Sequence, residues 1–185
     1  MDHLIYTAMN GAKQVMERQA TNNHNLANLS TTGFRADYDA SMALPVYGPG
    51  HPSRVYTQDS TIGVNYGQGA TINTGRDMDI AIGGEGFLAV QGRDGTEAYT
   101  RAGDLRVSAE GFLETGAGHP VMGNGGPITL PPYDKMDIGA GGTISIVPLG
   151  QPETHIAVID RVKLVKPEHA ELEKGEDGLL RLSLS

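Results

Sequence analysis

Apolar residues recur at alternating steps of four and three along the first stretch of the chain. The positions are Met1, Ile5, Ala8, Ala12, Val15, Gln19, Asn22, Leu26 and Leu29, and seven of the nine are apolar. A seam kept for about four heptads predicts a helix of the coiled-coil type. Tyr6, Met9 and Met16 widen its apolar surface. Ser30, Thr31, Thr32 and Gly33 stop the pattern with weak helix formers and a glycine. At about 1.5 Å per residue the predicted rod is roughly 45 Å long.

Two polar residues, Gln19 and Asn22, sit inside that seam, and Asn23, Asn25 and Asn28 crowd the same end. Asparagine competes with the helical backbone for hydrogen bonds. At a seam position, however, a polar side chain exchanges stability for a fixed register. A surface helix lying on the chain's own β-domain, its Asn side chains hydrated, is the bland explanation. Against it, the rest of the chain carries no second helical pattern, and an isolated helix is marginal in water. The seam is therefore expected to find its partners in other chains, with the Asn amides donating and accepting across those contacts.

Beyond residue 37 the pattern changes to short extended runs. Pro45, Pro49 and Pro52 with Gly48 and Gly50 argue against helix. Residues 55–57, 62–66 and 70–73 read as short strands of an extended connector or long hairpin. From Met78 onward, MDIAI, FLAVQ, DLRVS, ITL, TISIV, HIAVIDRVKLV and LLRLSL follow one another at close spacing. Asp94-Gly95 and Glu110-Gly111 supply hairpin turns between them. The expected fold is mainly β, an irregular sandwich or barrel-like domain with an N-terminal helical arm and an extended connector. The predicted division is residues 1–32 for the arm, 33–76 for the connector and 77–185 for the all-β domain.

Composition sharpens this in three ways. The 26 Gly residues, spread along the chain, suit many tight turns. The absence of Cys removes disulfides and thiolate metal sites from consideration. A formal charge of −8 opposes a phosphate backbone, so nucleic acid is not an expected partner. No run approaches the roughly 18 apolar residues of a membrane span, and MDHLIYTAMNGAKQV has no basic start or apolar stretch of a cleavable signal.

The sequence carries no compelling catalytic constellation. The six His are dispersed, without metal-ligand spacing, and no cofactor or metal site is predicted. GGEGF, residues 83–87, joins strand to strand and lacks the helix N-terminus that holds a phosphate. Asp77, Asp79 and Glu85 form the best carboxylate group. They define an alternative function: a carbohydrate- or Ca²⁺-binding module, or a glycosidase. Residues 77 and 79 are also two apart in a predicted strand, where they would simply share a solvent face.

The stretch ATNNHNLANLSTTGFRA resembles the N-terminal motif of flagellar rod and hook proteins, through Asn23, Asn25, Leu26, Ala27, Asn28, Thr32, Gly33, Phe34 and Arg35. GRDMDIAIGGEGFLAV and EAYTRAGDLRVSAEGFLETGAGHPVMG are similar to that family's entry into its β-domain and to the hairpins that follow. Within the flagellar basal-body rod protein family the opening segment and short connector look most like a proximal-rod member, with the distal-rod protein as nearest alternative.

The resemblance implies a non-enzymatic subunit stacked helically in the rod that crosses the periplasm. It implies other rod proteins and its own copies as partners, without membrane insertion, and export through the flagellar type III apparatus on an uncleaved N-terminus. The expected assembly interface is Met1, Ile5, Ala8, Ala12, Val15, Gln19, Asn22, Asn23, Asn25, Leu26, Asn28, Leu29 and Phe34. Family members continue into a C-terminal helix where this chain stops at LRLSLS, so a shortened form is expected.

Overall fold

A computed structural model describes residues 4–48, 51 and 54–183. Met1, His3, Pro49, Gly50, Pro52 and Leu184, which carry parts of the sequence pattern, lie outside the described residues. Two compact units divide the chain, Met1–Gly67 and Gln68–Ser185.

In the first unit, helix α1 (Leu4–Ala27) is followed by strands β1 (Asp37–Pro45) and β2 (Val55–Val64), which pair antiparallel. The register runs from Asp37 opposite Val64 to Pro45 opposite Val55, with a bulge between Tyr38 and Ala40. Residues 55–57 and 62–66, expected as separate strands, instead fall on one strand: 55–57 and 62–64 are the two ends of β2, 65–66 lie beyond it, and residues 70–73 are irregular. The helix stops through local chemistry. Asn28 N–H donates to the His24 carbonyl and Thr31 N–H to the Asn28 carbonyl. Gly33 then adopts φ of 71°, a conformation that costs glycine little. None of the described side chains in this unit is buried.

The second unit holds the core. Its strands are β3 (Phe87–Gln91), β4 (Glu97–Thr100), β5 (Leu105–Val107), β6 (Leu113–Thr115), β7 (Tyr133–Ile138) and β8 (Thr143–Pro148), then β9 (Ala157–Arg161), β10 (Leu164–Val165), β11 (Leu172–Lys174) and β12 (Leu180–Leu182). They form a five-stranded sheet in the order β10-β3-β4-β12-β11, a β5-β6 hairpin and a three-stranded sheet β7-β8-β9. All described pairings are antiparallel, and no closed barrel forms among the described residues. The architecture is thus mainly β with one N-terminal helix.

Leu88, Val90, Leu105, Leu113, Val121, Ile128, Ile144, Ile146, Val162 and Leu179 pack into one cluster contributed by every sheet. With so few aromatics, this core is built almost wholly from aliphatic side chains. Asp94-Gly95 and Glu110-Gly111 do make the turns between β3 and β4 and between β5 and β6, with Gly95 and Gly111 at φ of 80° and 89°.

Three runs expected as single strands fold otherwise. HIAVIDRVKLV is not one strand but two, β9 and β10, in different sheets. Between them Val162 is buried, its N–H donates to the Gly142 carbonyl, and Lys163 N–H donates to Met122. The chain changes sheets because Val162 is held in the core at the crossing. ITL, residues 128–130, joins no named strand: Thr129 bridges Phe112, Ile128 N–H donates to the Val121 carbonyl, and Leu130 N–H donates to the Gly111 carbonyl. MDIAI is likewise no strand: it makes a single bridge, Asp79 opposite Asp104. Met78, Ile80 and Ile82 still pack on the core, so the alternation survives without the ladder.

Gly103 explains how MDIAI is held. Ile80 N–H donates to its carbonyl at 2.8 Å. A side chain at Gly103 would place its Cβ 1.8 Å from the Ile80 carbonyl oxygen, far inside contact distance. Backbone must therefore move for any other residue to fit. Gly103→Ala is expected to destabilise the β unit by about 1–3 kcal/mol or more, read from the midpoint of urea unfolding. A wild-type midpoint would show that the Ile80 segment is not pinned there.

Candidate assembly site on the N-terminal helix

At 3.6 residues per turn, α1 presents two contrasting stripes. Thr7, Asn10, Gly11, Gln14, Thr21, Asn25 and Asn28 are half-buried. These small and polar residues share the side turned to the hairpin. Away from that side, Ile5, Met9, Val15, Met16 and Leu26 are all exposed, Ile5 by 72% and Leu26 by 70%. Ordinary amphipathic helices turn the apolar stripe inward; this one turns it outward.

Side-chain amides make the inward attachment. Asn10 Oδ1 accepts from Thr57 N–H of β2 at 3.0 Å. Asn25 engages both backbone groups of Asp37 at the start of β1: its Nδ2 donates to the carbonyl at 2.8 Å, and its Oδ1 accepts from the N–H at 3.0 Å. One amide thereby does for Asp37 what a neighbouring strand residue would do. His24 Nδ1 lies 3.4 Å from the Asp37 carboxylate, and the Phe34 ring meets the His24 ring edge-on at 5.6 Å. Asn28 Nδ2 donates to the His24 carbonyl, while its Oδ1 accepts from Thr31 Oγ1 at 3.3 Å. Arg35 donates to the Gly67 carbonyl.

The expected interface residues therefore separate into two sets. Ile5, Ala8, Ala12, Val15, Gln19, Asn22, Asn23, Leu26 and Leu29 are exposed on the helix and its end. Asn25, Asn28 and Phe34 have partners inside the unit. The expectation that all four Asn amides reach other chains is revised for Asn25 and Asn28, because each already bonds within the unit, Asn25 to the Asp37 backbone and Asn28 to the His24 carbonyl and the Thr31 hydroxyl. Met1 lies outside the described residues. Sequence reasoning missed Asn10, His24, Asp37 and Thr57. A signal was there: Thr7, Gln14, Thr21 and Asn28 repeat every seven residues on the side away from the apolar seam.

The carboxylates weighed as an alternative site take separate partners. Arg76 donates to Asp79 at 2.6 and 2.9 Å, and Thr74 Oγ1 at 2.6 Å. Hydrogen bonds from Arg76, then from Thr74, hold the Asp79 carboxyl below its usual range. Glu85 pairs with Lys166 at 2.7 Å, and the hydrogen bond from that ammonium lowers its carboxyl too. Asp77 is exposed in a turn. Among the described residues no three potential ligands gather about a metal position, and no helix is long and apolar enough to cross a membrane.

Comparison with known proteins agrees with the motif. A family model described as the flagellar hook protein FlgE/F/G D1 domain matches residues 81–146. The chain is 45% identical over 183 residues to the flagellar basal-body rod protein FlgF of Escherichia coli, covering 99% of this chain and 72% of that protein. FlgF of Salmonella typhimurium gives the same identity and coverage. The flagellar basal-body rod protein FlgG of Bacillus subtilis is 32% identical over 159 residues, covering 77% of this chain and 60% of that protein.

Two measurements follow. Asn25→Ala removes both amide contacts to Asp37 and should loosen the helix from the hairpin by about 1–3 kcal/mol. The readout is faster hydrogen exchange at the Asp37 amide, with Asn23→Ala as the exposed control; equal exchange in both variants contradicts the attachment. For Asp79 the folded carboxyl titrates below its ordinary value of 3.8. Its stabilisation is present above that value and is lost as pH falls through the folded one. Asp79→Asn should accordingly flatten the acid limb of the β unit's stability profile, measured by unfolding at successive pH values.

Proposed function

The chain belongs to the FlgF family of flagellar basal-body rod proteins, and from that premise we propose that it is a structural subunit that joins the rod through α1. The observation that carries this reading is the outward apolar stripe on a unit in which none of the described side chains is buried. Fully burying one such side chain contributes about 1.5–3 kcal/mol, so several on one seam make a strong drive to associate. A helix–hairpin pair whose described side chains are all at least partly exposed gains little of the apolar burial that offsets ordering entropy. It gains that burial when neighbouring subunits cover the seam.

In this account residues 1–32 form the assembly arm, 33–76 the connector and 77–185 an outer β-domain. The partners are proximal-rod subunits, the distal-rod FlgG and further copies of the chain, and the flagellar type III apparatus exports it to a rod crossing the periplasm. Met1, Ile5, Ala8, Ala12, Val15, Leu26 and Leu29 supply the apolar contact. Gln19, Asn22 and Asn23 set register, because an amide buried out of register is left unsatisfied. Asn25 and Asn28 fix the helix end, and Phe34 backs His24. No catalytic group is needed, in keeping with relatives named flagellar basal-body rod proteins.

A chain carrying Val15→Asp and Leu26→Asp should fail to enter basal bodies and fail to restore swarming to cells lacking their own copy. The β unit should melt within about 0.5 kcal/mol of wild type, since both sites are exposed. Normal swarming with both acids on the seam would defeat the proposal. A large loss of β-unit stability would show instead that the seam is covered within the chain.

A further inference from the structure

Asparagine or aspartate precedes glycine at four places, Asn10, Asp94, Asn124 and Asp177. Such pairs are chemically fragile, because the glycine nitrogen can reach the preceding side-chain carbonyl without obstruction from a side chain. The fold protects three of them. Asn10 Oδ1 is held by Thr57 N–H, and Gly11 lies within the ladder of α1. The Asp94 carboxylate accepts from Thr96 N–H and Oγ1. The Asp177 carboxylate takes two hydrogen bonds from Arg181 and one from Leu179 N–H.

Asn124 is different. It is exposed at the tip of a two-residue loop closed by Gly123 N–H donating to the Gly126 carbonyl at 2.7 Å. Its backbone N–H points to Asp160 Oδ1 at 3.4 Å. Among the described residues neither its side-chain amide nor the Gly125 N–H has a protein partner. Nothing lies within 4 Å of the position a Gly125 Cβ would take. Nucleophile and electrophile are therefore adjacent, hydrated and unhindered.

We propose that Asn124 is a site of spontaneous deamidation in the folded protein. The Gly125 nitrogen bonds to Asn124 Cγ, the Cγ–Nδ2 bond breaks, and ammonia leaves carrying the proton from the Gly125 amide. Water then adds to either carbonyl of the resulting cyclic imide and opens it to aspartate or isoaspartate. Either product sets a carboxylate beside Asp160. Isoaspartate also adds a backbone carbon to a loop whose flanks, Val121 and Ile128, are buried in the core. The Met122–Pro127 bridge between them must then shift.

The test incubates the intact chain in mildly alkaline buffer and maps its peptides by mass spectrometry over time. Asn124 should convert about tenfold faster than Asn10 or more, because freeing the Asn10 amide requires breaking a hydrogen bond. Both aspartate and isoaspartate should appear at position 124, the converted chain should bind an anion exchanger more tightly, and Asn124→Gln should abolish that shift. Conversion at Asn124 no faster than at Asn10, or only after unfolding in urea, overturns the proposal.

Discussion

The constraint on which this protein turns is where an apolar stripe finds cover. In most small domains a helix gives its greasy face to the sheet beneath it, and the gain holds both in place. Here the attachment of α1 to its hairpin is polar, made by Asn10 and Asn25 against backbone groups of Thr57 and Asp37. Hydrogen bonds of this kind contribute little net free energy but are strongly directional. They orient the helix without consuming its apolar surface. Ile5, Val15 and Leu26 remain exposed.

The β unit follows a different economy. Its strands are short, several only three residues long, and its sheets are small. No single ladder would hold such a fold. Stability comes from convergence: Leu88 and Val90 from β3, Leu113 from β6, and Ile144 and Ile146 from β8 share one aliphatic cluster. Between strands the backbone approaches itself closely, as at Gly103 against Ile80. Cation–carboxylate pairs such as Arg76–Asp79 and Arg181–Asp177 fasten the loops at the rim. They lie near the surface, so they position chain segments more than they add stability.

One division of labour connects the sequence motif to its use. Within the NNHNLAN stretch, Asn25 and Asn28 turn to the chain's own backbone while Asn22 and Asn23 face out. Neighbouring residues of a helix point to different sides, so a single motif can end the helix, dock it and leave two further amides exposed. A motif meeting three demands in so few residues leaves little room for substitution.

By itself the sequence determined the helix and its stop, the exposed character of the seam, the mainly β class and the glycine turns at Asp94-Gly95 and Glu110-Gly111. All of these are local properties, set by heptad spacing, period-2 alternation and backbone preference within a few residues. Only the tertiary structure decided that MDIAI packs without a ladder, that HIAVIDRVKLV divides at Val162, and that Asn25 bonds the backbone of Asp37. Each of those outcomes depends on residues distant in the chain, Gly103, Gly142 and the start of β1. Periodicity says which side of a segment avoids water; which backbone lies close enough to bond is fixed only when the whole chain has folded.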